Sequence, residues 1–113
     1  MNTVLHKSAV AGKWFTLSIA EQMGNIGSEV GRAGKWQGKN ENAFEGATDR
    51  ALELFDLTLE DPRWRGQGRR KEIALARELF CDTAFGDTEY NTVLEDLDRY
   101  FYPFAFAARK NLS

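Results

Sequence analysis

The chain is poor in the residues that small catalytic and metal-binding domains are usually built around. Of its 113 residues one is histidine, His6, one is cysteine, Cys81, and two are proline, Pro62 and Pro103. A lone cysteine excludes an intramolecular disulfide framework and fits a reducing compartment. It has no second cysteine to make a zinc pair, and the Glu-x-x-His pairs of bundle di-iron sites are absent. A Ser-His or Cys-His nucleophile would have to recruit His6. The net charge of −2 gives none of the global basic field that marks many nucleic-acid binders. No apolar run approaches the roughly 20 residues of a membrane span. The first residues also lack the apolar core, roughly 7–15 residues long, of a secretory signal. The expectation is a cytoplasmic protein with no cofactor, no metal site and no catalytic residue.

What the chain does contain is helical periodicity. Hydrophobic residues make up 42% and charged residues 28%, a balance that fits one globular domain rather than a disordered chain. Residues 19–34 carry two parallel stripes. Ile19, Met23, Ile26, Val30 and Ala33 recur at spacings 4, 3, 4, 3, and Ala20, Gly24, Gly27, Gly31 and Gly34 sit one residue behind each. At about 100° per residue the two sets cover adjacent arcs of one helix. The first arc is an apolar ridge, the second a groove almost without side chains. Each helical glycine costs roughly 1 kcal/mol relative to alanine, so close approach of another helix or a ligand should offset that cost.

The rest of the chain follows the same period. Residues 1–12 lack one and read as an irregular N-terminal arm ahead of a single domain over 13–113. Ser18 and Glu21 match a capping box, so the first helix should begin there, or earlier near Trp14, and run to about Trp36. Asn40 is placed to cap a second helix over 41–60, with Phe44, Ala47, Ala51, Leu54, Phe55 and Thr58 inside. Glu45, Asp49, Glu53, Asp56 and Glu60 should form its solvated face. Asp61-Pro62 ends it. A third helix over 69–84 has Ile73, Ala76, Phe80 and Ala84 on one face and Leu75 and Leu79 on the other, which predicts burial on more than one side. Thr92 and Glu95 suggest a cap for a fourth helix, carried on by Leu94, Leu97, Phe101, Phe104 and Ala108 and kinked at Pro103. Four amphipathic helices with short connections predict an all-α, antiparallel four-helix bundle.

Three phrases, Asn25-Ile26-Gly27-Ser28-Glu29-Val30, Arg50 through Thr58 and Asp61-Pro62-Arg63-Trp64, resemble those of a group of short hypothetical prokaryotic proteins. The resemblance spans most of the chain. It implies no activity and assigns a role to no residue.

Four constellations could serve a partner. Arg63, Arg65, Arg69, Arg70 and Lys71 put five positive charges in nine residues, with Trp64 between two of them. Basic groups interleaved with an aromatic suit phosphate contact and base stacking, and the alternative is a solvated loop balanced by the acidic second helix. Arg77 falls on the apolar face of the third helix, where a buried guanidinium needs an acid. Glu21, Glu29 or Asp49 are the expected partners, unless its stem covers the core and its head reaches water. Tyr100, Phe101, Tyr102, Phe104 and Phe106 point several ways around one helix, more than one core can absorb. Glu21, Gln22, Asn25, Ser28, Glu29 and Arg32 form a polar arc, either a solvated face with pairs such as Ser28–Arg32 and Asn25–Glu29 or a polar network facing another subunit or a ligand.

Together these features point to a non-enzymatic helical bundle that works through self-assembly or a protein partner, first as a homodimer. Gly24, Gly27, Gly31, Tyr102, Phe104 and Phe106 are its candidate interface. The alternative is a small nucleic-acid-associated protein binding phosphate through the 63–71 cluster.

Overall fold

Ser18 and Glu21 begin the first helix as the capping box predicts. In the computed structural model, which describes residues 12–66 and 68–86 together with Leu97 and Phe101, α1 spans Ile19–Trp36. The Glu21 amide donates to the Ser18 hydroxyl at 3.1 Å, and the Ser18 amide donates to the Glu21 carboxylate at 3.0 Å. Two amides that the helix itself leaves without acceptors are thereby satisfied. Asn40 caps α2, Glu41–Glu60, by accepting from the Ala43 amide. The turn between them places Gly38 at φ 76°, a left-handed backbone that a β-carbon disfavours.

Asp61-Pro62 ends α2, and Pro62–Trp64 continue as a 3-10 turn. The Asp61 carboxylate caps that turn by accepting from the Arg63 amide at 3.0 Å. After Gly68, also left-handed, α3 runs Arg69–Phe85. Residues 12–14 are helical too. Every regular element among the described residues is helical and none is a strand. Among these residues no helix is long and apolar enough to cross a membrane. The rest of the expected arm, the Thr92–Glu95 cap, the continuation through Leu94 and Ala108, and the Pro103 kink lie outside the described residues.

α2 is the shared element, with both α1 and α3 packed against it. The core takes Met23, Ile26, Val30 and Ala33 from α1, Ala47, Ala51, Phe55 and Leu57 from α2, and Ile73, Ala76 and Phe80 from α3. Leu97 and Phe101, each helical, complete it. Phe55 lies at its centre, with ring centroids 5.9 Å from Phe80 and 6.2 Å from Phe101. The first pair is tilted and the second edge-on, and aromatic contacts of this kind add to the burial itself. The acidic stripe of α2 is exposed throughout.

One expectation is corrected. α3 is not buried on two sides: Leu75 is 55% exposed, Leu79 41% and Phe85 62%. Ile73, Ala76 and Phe80 reach the core and Ala84 packs against it, because α3 meets α2 along a single face.

Candidate functional site

The densest polar chemistry lies where α1, the end of α2 and the 3-10 turn converge. Gln22 is fully buried there. Its amide nitrogen donates to the Trp14 carbonyl at 3.0 Å and to Asp61 Oδ2 at 2.9 Å, and its oxygen accepts from the Trp64 indole at 2.9 Å. Asp61, equally buried, is gripped by the Arg63 guanidinium, whose Nη2 lies 2.7 Å from Oδ2 and also donates to the Leu17 carbonyl. The Trp14 indole donates to Thr58 Oγ1 at 2.9 Å, and the Thr58 hydroxyl donates to the Leu54 carbonyl.

Burial pushes the Asp61 carboxyl up, but the hydrogen bonds from Arg63 and Gln22 and the Arg63 charge outweigh it and hold it below its ordinary value. The hydrogen bond with Asp61 holds Arg63 above its own. Both amide protons of Gln22 and the charge of Asp61 are consumed within the network. It is therefore a clamp joining three segments.

This clamp divides the basic cluster. Arg63 is spent on Asp61 and Leu17. Trp64 is half-buried with its N–H turned inward, and the guanidinium carbons of Arg63 and Arg69 lie 4.5 and 5.8 Å from its ring centroid. Arg65, Arg69, Arg70 and Lys71 are exposed, and none makes an ion pair among the described residues. They surround the start of α3, where Gly68 offers no side-chain cap.

Arg77 pairs with Asp56, Nε to Oδ1 at 2.9 Å, in a half-exposed bridge. The acid comes from the outer stripe of α2, not from Glu21, Glu29 or Asp49. Cys81 lies beside it. Burial pushes the Cys81 thiol up, against a smaller opposing pull from Arg77, so it is not primed as a nucleophile.

Glu29, placed by sequence on a solvated arc, is nearly buried and takes Arg32 and Arg50 on its two oxygens. Asn25 and Ser28 instead donate to the carbonyls of Glu21 and Gly24, one turn back, a local bond such side chains readily make.

Of the candidate interface residues, Gly27 is buried inside the chain. A β-carbon there would lie 2.5 Å from Phe101 Cβ, so the groove at this point receives Phe101. Gly24 and Gly31 are half-buried, while Tyr102, Phe104 and Phe106 lie outside the described residues. An open cleft lined by Gln37, Gly38, Lys39, Glu41, Phe44 and Ala84 brings no set of converging polar groups together. Among the described residues no three His, Cys, Asp or Glu side chains cluster as metal ligands would.

Sequence reasoning missed the clamp's centre, Gln22. The one signal was two tryptophans, Trp14 and Trp64, whose indole N–H groups need acceptors once buried. Comparison with protein-family models, curated proteins and solved structures finds no match to this chain.

Proposed function

We propose that this chain is a non-enzymatic, antiparallel four-helix bundle that works by assembling, with a second copy of itself or with a protein partner, through the outer face of α3. The observation that carries the reading is the exposure of Leu75, Leu79 and Phe85 on a single helix. Large apolar side chains grouped on a surface mark interaction sites far more than scattered ones do. The polar network elsewhere is internally satisfied, so it supports a rigid scaffold rather than a reaction. A free Cys81 fits a cytoplasmic setting.

The test is size-exclusion chromatography with light scattering from micromolar to hundreds of micromolar protein. Mass rising with concentration supports self-assembly. A constant monomer mass leaves only a different protein as the partner.

A second reading, phosphate or nucleic-acid binding, is favoured by one observation: Arg65, Arg69, Arg70 and Lys71 are exposed without ion-pair partners among the described residues. Anisotropy of labelled single-stranded RNA and DNA at low and moderate salt tests it. Binding that weakens with salt and is lost on charge reversal at Arg65, Arg69 and Arg70 supports it; no binding at low salt removes it.

A further inference from the structure

The exposed face of α3 has a polarity that its apolar residues alone do not show. Lys71, Leu75, Leu79 and Asp82 follow one another at spacings 4, 4 and 3, so they form one stripe along the helix. All four are exposed. The stripe is basic at its N-terminal end, apolar in the middle and acidic at its C-terminal end. Neither Lys71 nor Asp82 makes an ion pair among the described residues. Arg77 and Ile73 face the opposite way, toward α2, so pairing along this stripe disturbs nothing inside.

A helix with this pattern is complementary to itself when reversed. We propose that α3 docks against α3 of a second copy, antiparallel, about a two-fold axis beside position 77. This rests on the assembly reading and names its partner and geometry. The axis sets Leu75 of each copy against Leu79 of the other. It also brings Lys71 of each copy to Asp82 of the other, on the same flank, twice by symmetry. In the parallel arrangement Lys71 would meet Lys71 and Asp82 would meet Asp82, two like-charge contacts that disfavour it. Phe85 lies on the flank that carries Lys71 and Asp82, and the reversed copy brings it to the Lys71 stem. One contact is unfavourable: Glu78 faces its own copy beside the axis, so Glu78→Gln should tighten the dimer.

Such an isologous interface is the commonest form of soluble assembly. It is also narrow, so the dimer should dissociate on dilution rather than persist at nanomolar concentration.

The experiment joins mass with position. In a Cys81→Ala background, Lys71→Cys and Asp82→Cys variants are prepared separately and mixed, then oxidised at a concentration where light scattering finds dimer. The antiparallel pairing predicts disulfide-linked dimers in the mixture and few in either variant alone. The two positions lie roughly 16 Å apart along one helix, so they cannot bridge within a chain. Charge reversal adds a second readout: Lys71→Asp should weaken the dimer by about tenfold, and adding Asp82→Lys should restore most of it. Cross-linking of each variant with itself, but not in the mixed pair, overturns the antiparallel arrangement and leaves assembly standing. Dimers of full mass with no cross-link at either position place the interface elsewhere, overturning this pairing and the α3 face as the assembly surface while leaving self-assembly standing. A monomer at every concentration removes both this pairing and self-assembly.

Discussion

Gln22 and Asp61, 39 residues apart in the chain, share a 2.9 Å hydrogen bond that solvent does not reach. The bond ties the first turn of α1 to the residue that ends α2. It holds Asp61 where Arg63 can close over it and reach the Leu17 carbonyl. Replacing Gln22 with leucine keeps the volume but takes one hydrogen bond each from Asp61, which keeps Arg63, and from the Trp14 carbonyl, which keeps the Leu17 amide, and it leaves the Trp64 indole N–H without its acceptor. A buried polar group left without a partner costs about 1–3 kcal/mol. Gln22→Leu is therefore expected to lose about 2 kcal/mol in urea unfolding, despite being more hydrophobic.

Acid should weaken the same clamp. The folded pKa of Asp61 lies below its ordinary value, so between the two the unfolded chain binds more protons and stability falls as pH falls. The Asp61 contribution is complete above the unfolded value of about 3.9 and is lost as pH drops through the folded one. Asp61→Asn should cost about 2 kcal/mol at pH 7, near the low end for a broken buried pair because Arg63 keeps partial access to water. The gap between wild type and Asp61→Asn should narrow as pH is lowered toward 3, measured by urea midpoints across the range.

Two threonines of α2 should respond in opposite directions. The buried Thr58 hydroxyl accepts from Trp14 and donates to Leu54. The Thr48 hydroxyl, also buried, has no hydrogen-bond partner among the described residues. Valine is close to threonine in shape. Thr58→Val should destabilise by about 1–2 kcal/mol, whereas Thr48→Val should be neutral or stabilise by up to about 1 kcal/mol. Thermal melts of both variants check the contrast.

Two helical glycines differ in the same way. Alanine gains about 1 kcal/mol over glycine in a helix. At Gly46 the added carbon meets only the flexible end of Arg50, at 3.4 Å, so Gly46→Ala should be stabilising. At Gly27 it meets the Phe101 β-carbon at 2.5 Å, which cannot yield without moving its backbone. Gly27→Ala should be net destabilising by about 1 kcal/mol or more, because overpacking outweighs propensity.

Helix boundaries were legible wherever a local bond decides them. Ser18 with Glu21, Asn40 and Asp61-Pro62 each act within a few residues, and the structure starts or ends a helix at each one. The apolar faces were legible for the same reason, since Met23, Ile26 and Val30, or Ala47, Ala51 and Phe55, need only the helical period. Partner identities were not legible. Gln22 looks like a solvated residue until Trp14 and Trp64 cover it from far along the chain. The acid that meets Arg77 depends on how α3 is rotated on α2, and that rotation brings Asp56 rather than Asp49. The same rotation decides that Leu75 and Leu79 face outward, which periodicity alone read as a second buried side. Asp61, the acid that takes the charge of Arg63, is only two residues away, but its burial depends on Gln22 from far along the chain, so the sequence did not separate Arg63 from Arg65 and Arg70.

The central claim is that the outer face of α3 is an assembly surface, and sedimentation equilibrium of the wild type against a Leu75→Asp, Leu79→Asp variant tests it most directly. Both positions are exposed, so the variant should keep its helicity and melting temperature. The account predicts that the wild type approaches twice its 12.8 kDa chain mass as concentration rises, while the variant stays at one chain mass. A variant that associates as strongly as the wild type, or a wild type that is monomeric throughout, would contradict it.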